Sequence, residues 1–360
     1  MRRVGIVTLT GNKNYGNKLQ NYALAKVIEN YGFDVYTLWC NETFFTKSLK
    51  KYKNILLSPF DIDSKRKKKF TKFNSKYLKC YYVNSKKIDK LNRCFSYYVI
   101  GSDQIWNPNI INRYLGVSIL GKGHNVFSYA ASIGVSNIDD KYSKIIKEKF
   151  IKENIKYVSV REKDAQKIVE KNTGRKDIDV LIDPTLLLSA EQWNEIISEP
   201  KNLKNKKYIL TYFLGGISDS RKKSIDDFAK KNGCIIINLL DKNDPYYTSD
   251  PSEFLYLEKN AYLICTDSFH SSVFGLIYDR PFVIFDRDNS KKENMSSRLT
   301  NFVDTFKLDN RMFNEKSITQ ENLNHDYTEA YKILVKERKK SICFIEKALE
   351  INKEGVSCEK

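Results

Sequence analysis

The feature that most constrains the fold is an alternation of short apolar runs and amphipathic stretches, repeated in two series along 360 residues. Val4 to Leu9 has strand length. After the loop Thr10 to Asn17, the residues Leu19, Tyr22, Ala23, Val27 and Ile28 recur at helical spacing, and Gly32 sits where a C-terminal cap belongs. Phe33 to Leu38 then reads as a second strand, which completes a β-α-β unit and implies a parallel sheet. Further strands are expected over Tyr97 to Ile100, Asn125 to Ala130, Tyr157 to Val160 and Val180 to Ile182, with helices over Lys141 to Lys152 and Lys163 to Lys171. Asp183-Pro184-Thr185 closes this series, and Ser189 to Gln192 opens a short serine-capped helix. A polar, lysine-rich stretch from Ser198 to Lys207 follows. The alternation then resumes with strands at Tyr208 to Phe213, Cys234 to Leu239, Ala261 to Cys265 and Phe282 to Phe285. Helices lie at Ser220 to Asn232, Ser252 to Asn260 and Ser271 to Tyr278, and a long one closes the chain at Asp326 to Ile351. The expectation is an α/β chain of two Rossmann-like parallel-sheet domains facing a cleft. They span residues 1–197 and 208–360, with 198–207 as linker, and ligands belong at the carboxyl ends of the strands.

Composition narrows the class. Apolar residues are 41% and aromatics 13% of the chain, too much to leave in water, so a disordered basic tail is excluded. Only 15 Gly and 7 Pro rule out collagen-like repeats. The longest nearly apolar stretch, Cys234 to Leu240, is about a third of the ~20 residues a spanning helix needs. The start runs from Met-Arg-Arg into Gly11-Asn12-Lys13 without an apolar core of ~7–15 residues, so no signal peptide is expected and a cytoplasmic location follows. The 7 cysteines form no CxxC pair, which argues against a disulfide framework or a zinc knuckle, and with 3 histidines no metal site is expected.

The charge is uneven. With 62 Lys+Arg against 44 Asp+Glu the net charge is +18. Residues 47–93 hold sixteen basic and three acidic residues, so most of the excess sits in that segment. Its densest part, Lys65 to Lys69, precedes Phe70, Phe73, Tyr77 and Leu78, a spacing that predicts an amphipathic helix with one strongly basic face. Such a face is either simply solvated or meets an anionic partner such as lipid headgroups. No base-reading motif accompanies it, and no nucleic-acid partner is expected.

The chemistry-bearing segments follow strands. In Thr266-Asp267-Ser268-Phe269-His270-Ser271 a polar turn enters a helix, whose N-terminus can hold an anion while His270 moves a proton. Asp267 and Ser268 as plain helix caps are the alternative. Gly101-Ser102-Asp103-Gln104 offers a small turn and a carboxylate; a capped turn with Trp106 as core is the plain reading. Arg161 leaves a strand end, suited to a carboxylate or phosphate or to a local pair with Glu162. The loop Asn14-Tyr15-Gly16-Asn17 opens the first helix without matching a dinucleotide or Walker fingerprint. Arg298 supplies a further cation.

Taken in order, these segments together with Leu19-Gln20, Ile105-Trp106, Ser159-Val160-Arg161-Glu162 and Asp183-Pro184-Thr185 resemble the polysaccharide pyruvyl transferase family over roughly residues 4 to 310. The resemblance implies a GT-B-like fold and transfer of pyruvate from phosphoenolpyruvate to two hydroxyls of a sugar, forming a cyclic ketal. Phosphoenolpyruvate is then a co-substrate, no cofactor is needed, and the acceptor is a capsule or exopolysaccharide glycan. Such an acceptor is lipid-linked, which would bring the protein to the inner face of the membrane. Many members carry Arg-Leu-His at the helix entry, with the arginine binding the donor. This chain has Ser268-Phe269-His270, so the histidine carries over and the arginine does not. The expected roles are His270 as acid/base, Asp103 and Asp267 as hydroxyl-orienting groups and Arg161 and Arg298 as anion holders. Ser268, Ser271, Gly101, Ser102, Gln104 and residues Asn14, Tyr15, Gly16 and Asn17 would line the substrate. Rival readings are a GT-B glycosyltransferase using a nucleotide-sugar and a non-catalytic envelope-glycan module.

Overall fold

The computed structural model describes residues 2–11, 14–40, 61–83, 93–109, 125–152, 155–287, 297–313 and 317–351, apart from the side chains at 40 and 149–152. Contacts gather the chain into two units, one drawing on 1–61, 74–187 and 336–360 and the other on 62–73 and 188–335.

In the first unit, β1 (Arg3–Val7), α1 (Tyr15–Glu29) and β2 (Asp34–Cys40) form the expected β-α-β unit. With β3 (Cys80–Val83), β4 (Tyr97–Ile100) and β5 (Asn125–Ser128) they make a parallel sheet in the order β3-β2-β1-β4-β5. Pairing runs outward from β1 to β3 and then reverses to β4. The switch point where such sheets bind ligands therefore lies between the loops that follow β1 and β4. A parallel pair, β6 (Val158–Val160) and β7 (Ile178–Val180), joins β5 through the bridges Phe127 to Tyr157 and Ala131 to Val160. Helices α3 (Asp140–Lys152) and α4 (Lys163–Thr173) pack on Ile146, Ala165, Ile168 and Val169. β4 is buried at every position, as a central parallel strand must be.

The second unit repeats the plan. Ser189 caps α5 (Ala190–Asn194) through a full capping box with Gln192. Next come β8 (Tyr208–Tyr212), α6 (Asp219–Lys231), β9 (Ile235–Asn238), α7 (Pro251–Asn260), β10 (Leu263–Thr266), α8 (Phe269–Ile277) and β11 (Phe282–Ile284), then α9 (Ser297–Phe306). The parallel sheet runs β11-β10-β8-β9, reversing between β8 and β10. A final helix, α10 (Thr328–Ala348), is shared: its residues to 335 count with the second unit and those from 336 with the first. The domain reading from sequence assigned all of 208–360 to one body, and the units cut across it there.

The basic segment divides too. Its portions at 47–60 and 84–92 lie outside the described residues, while α2 (Ile62–Tyr77) is the expected amphipathic helix. Phe70 and Phe73 are buried, and residues 62–73 belong to the second unit rather than the first. The cause is Arg66. It is 4% exposed, donates to the carbonyls of Leu239 (3.0 Å) and Tyr247, and lies 4.8 Å from the Tyr247 ring centroid. Lys69 pairs with Glu253 at 2.7 Å. Within the run Lys65 to Lys69, only Lys65, Lys67 and Lys68 form an exposed basic face.

Two smaller differences have local causes. β7 starts at Ile178, two residues before the expected strand, because Val158 to Val160 pair with Ile178 to Val180. The short edge strand β3 follows a lysine-rich helix without a hydrophobic alternation of its own. Cys80, Cys94, Cys234 and Cys265 are free thiols, while Cys343 is disulfide-bonded, which the scattered spacing did not predict.

Candidate functional site

At the carboxyl edge of the first sheet, the expected residues converge on the switch point and spend their polar groups on one another. The Asn14 side chain caps α1 by accepting from the Asn17 N–H at 3.4 Å, and Tyr15 and Gly16 are buried in its first turn. The Gln20 amide donates to Thr8 Oγ1 (2.8 Å), which donates to the carbonyl of Ser102 (3.1 Å). Ser102 Oγ in turn donates to Asp183 Oδ2 (2.9 Å), and Thr185 gives Asp183 Oδ1 its N–H (3.0 Å) and hydroxyl (2.7 Å). Asp103 follows with φ of 66°, a left-handed conformation that aspartate tolerates better than most residues, and its Oδ1 accepts the Gln104 N–H at 2.9 Å. Gln104 lies against Gly134, whose own φ is 71°.

Arg161 closes this network. Its side chain is 3% exposed and surrounded by carboxylates, with Asp183 Oδ2 at 2.5 Å, Glu162 Oε2 at 3.8 Å and Asp103 Oδ1 at 4.0 Å. Burial opposes its charge, but Asp183, Glu162 and Asp103 outweigh it and hold the guanidinium more firmly protonated than usual. Glu162 Oε1 also accepts from Ser132 Oγ (2.6 Å) and the N–H groups of Ile133 (3.1 Å) and Gly134 (3.0 Å). A guanidinium facing three protein carboxylates offers no attractive field to a substrate anion, so Arg161 is not positioned as the anion holder the sequence suggested. Ser102, fully buried and bonded to Asp183, likewise binds protein instead of substrate.

Sequence reasoning stepped over Lys18 in this loop. It is 2% exposed, donates to the Thr10 carbonyl at 3.0 Å and lies 5.1 Å from the Trp39 ring centroid. Burial pushes its ammonium down to about 8. Its signal is a lysine in the first turn of a helix, where the macrodipole disfavours a cation.

The carboxyl edge of the second sheet is arranged otherwise. Asp267 ends β10 fully buried and accepts the N–H groups of Leu214 and Gly215, both at 2.6 Å, from the loop after β8. Arg287, just past β11, sets its Nε 3.2 Å from Asp267 Oδ2. Burial pushes the Asp267 carboxyl up, opposed by Arg287 and the two N–H groups. Asp267 is thus the bolt that joins three strand ends and aims Arg287, a different job from orienting a sugar hydroxyl. Gly215 allows this close approach, since a Cβ would lie 2.9 Å from both Arg287 Cγ and Asp267 Oδ2 and force one of them to shift. Arg287 and the Gly215-Gly216 turn are further residues that sequence reasoning missed, and a glycine pair straight after a strand was the available signal.

Ser268 enters α8 as its N-cap residue but makes no side-chain capping bond, and His270 lies in the first turn, 6% exposed, edge-on to the Phe269 ring at 5.1 Å. Phe302 of α9 packs on Phe269 at 5.8 Å. Arg298 stands one turn before Phe302 on α9 and is largely buried. Ser271, expected to meet substrate, is fully buried and donates to Glu258 Oε1 at 2.6 Å instead. A helix N-terminus without a side-chain cap, an imidazole and two guanidiniums can bind an anion and move a proton beside it. Among the described residues no cluster of His, Cys, Asp and Glu could hold a metal ion, and no helix is long and apolar enough to cross a membrane.

A family model described as polysaccharide pyruvyl transferase matches residues 14–289, a span that contains both strand edges. Among solved structures, S. aureus MnaA with UDP is similar over 99% of each chain at 14% identity, with a TM-score of 0.51. A putative UDP-N-acetylglucosamine 2-epimerase from Listeria monocytogenes is similar over 96% of this chain and 90% of its own, at 10% identity and a TM-score of 0.50. At such identities the likeness is one of fold, and that fold is of the GT-B type, as expected. No curated protein sequence matches the chain.

Proposed function

Because the chain belongs to the polysaccharide pyruvyl transferase family, we propose that it transfers pyruvate from phosphoenolpyruvate to a hydroxyl pair on a sugar of a lipid-linked surface-glycan precursor. The observation that carries this reading is His270 in the first turn of α8, at the carboxyl edge of the second sheet and inside the family-matched span. C3 of the donor takes a proton and becomes the methyl group, leaving an oxocarbenium ion at C2. One sugar hydroxyl bonds to C2 and the bond from C2 to the phosphate oxygen breaks as the second hydroxyl bonds. Of the two protons released, one balances that taken up at C3 and the other leaves with phosphate. His270 moves these protons, while the start of α8, Arg287 and Arg298 hold the donor's phosphate and carboxylate. Arg287 takes up the charge that the arginine of the Arg-Leu-His pattern would bring. Ser268 stands at the start of α8, beside the proposed donor site. The exposed lysines Lys65, Lys67 and Lys68 suit the anionic membrane surface that carries such an acceptor.

The test is incubation with phosphoenolpyruvate and lipid-linked glycans, following phosphate release and the new ketal methyl signal by NMR. One phosphate per ketal is expected, and His270→Ala is expected to suppress both. UDP release from a UDP-sugar without phosphate release would make the protein a glycosyltransferase. Neither product would make it a non-catalytic module.

A further inference from the structure

Behind the proposed site lies a carboxyl group that the chemistry above does not use. Glu258, on α7, is 0% exposed, and its Oε1 accepts the Ser271 hydroxyl at 2.6 Å, with Ser271 also 0% exposed. Among the described residues, the charged and titratable groups that feel Glu258 are the phenols of Tyr208 and Tyr212 on β8 and of Tyr278 at the end of α8, none of them a cation. Tyr208 spends its hydroxyl on the Leu257 carbonyl at 3.0 Å. An apolar residue at this position would cost less, since an acid in the core carries a desolvation penalty of about 1–3 kcal/mol.

We infer that Glu258 is a positioning residue: through the Ser271 hydroxyl it ties α7 to the first turn of α8 and so fixes the His270 ring. The reading rests on the transferase role proposed for His270. Ser271 directly follows His270, so a hydroxyl pulled back to α7 sets the rotation of that turn. The bond also keeps the Ser271 side chain from folding over the start of its own helix, where the donor's anion would sit.

The group must do this without charge. A carboxylate at the start of α8 would compete with an incoming anion for the helix dipole. Burial pushes the Glu258 carboxyl well above its usual range, with the Ser271 bond opposing only in part. A neutral acid supplies the hydrogen bond and leaves the field of the helix start to the substrate.

The experiment uses the full chain with Glu258→Gln, Glu258→Leu and Ser271→Ala. The first readouts need no substrate. A carboxylic-acid C=O stretch in the infrared at neutral pH is expected in wild type and absent in Glu258→Gln. With only 3 histidines in the chain, the His270 ring signals can be assigned by NMR. They are expected to move in Glu258→Leu and Ser271→Ala and to stay in place in Glu258→Gln. In turnover, Glu258→Leu and Ser271→Ala are expected to lose about 10–100-fold in kcat, the cost of a roughly 1 Å displacement, with donor KM changed less than about twofold. Glu258→Gln is expected to keep wild-type kcat. His270 signals that stay put in both Glu258→Leu and Ser271→Ala overturn the inference, as does a Glu258→Gln loss equal to that of Glu258→Leu. If Glu258→Leu fails to fold, Ser271→Ala decides alone. If wild type turns over no phosphoenolpyruvate, the transferase reading falls while the infrared and NMR signals still decide the positioning role.

Discussion

The two sheet edges use the same residue types to opposite ends. In the first unit the carboxylates outnumber the cation: Asp103, Glu162 and Asp183 close on Arg161, and Ser102 and Thr185 donate to Asp183 and Ser132 to Glu162. In the second unit Asp267 meets Arg287 and two N–H groups, and the helix beside it starts without a side-chain cap. Position at a switch point therefore nominates both edges, and the balance of charge within each separates architecture from chemistry. A polar residue whose partners are all protein groups holds loops in place; the proposed anion site lies at the second edge.

Substitutions should divide along the same line. The largest effect is expected for His270→Ala, about 10²–10⁴-fold in kcat with an unchanged melting curve. Comparable effects of His270→Ala on folding would erase the distinction. Arg161→Met should instead cost about 3–5 kcal/mol of stability, because it strands buried carboxylates, and denaturant titration reads that directly. Lys18→Met tests the first edge by pH. Burial lowers the Lys18 ammonium to about 8 in the folded chain, while the unfolded chain keeps its proton to about 10.4. Between those values the unfolded state binds more protons, so wild-type stability should rise with pH by about 3 kcal/mol, and Lys18→Met should be flat across the window. A flat wild-type curve would contradict it. Arg287→Ala should cost about 1.5–3 kcal/mol of donor binding, the worth of hydrogen bonds to a charged group. Smallest of all, neutralising Lys65, Lys67 and Lys68 should change stability by no more than about 0.5 kcal/mol while weakening adsorption to anionic vesicles. Including Arg66 in that set would confound it, since Arg66 is an internal strut.

Much of the architecture was legible because a parallel sheet buries whole strands and announces them as apolar runs. The turns were legible as well: Asn14, Asp103, Arg161, Asp267 and His270 all stand at strand ends or helix starts, where the alternation puts them. Their partners were not. Asp183 lies 22 residues from Arg161, and Leu214 lies 53 from Asp267, separations at which no local pattern signals a hydrogen bond. Glu258 was hidden for the same reason, since its role depends on the neighbouring helix. Arg66 reads as one more charge in a basic run, and only the packing of α2 on Tyr247 reveals that it is buried.

Calorimetric titration of phosphoenolpyruvate onto wild type and Arg287→Ala tests the division between the two edges most directly. Saturable binding by wild type, weakened about 10–100-fold by Arg287→Ala in a protein that still melts cooperatively, is the predicted result. Equal affinity in the two proteins would contradict it and return the search for the anion holder to the first edge.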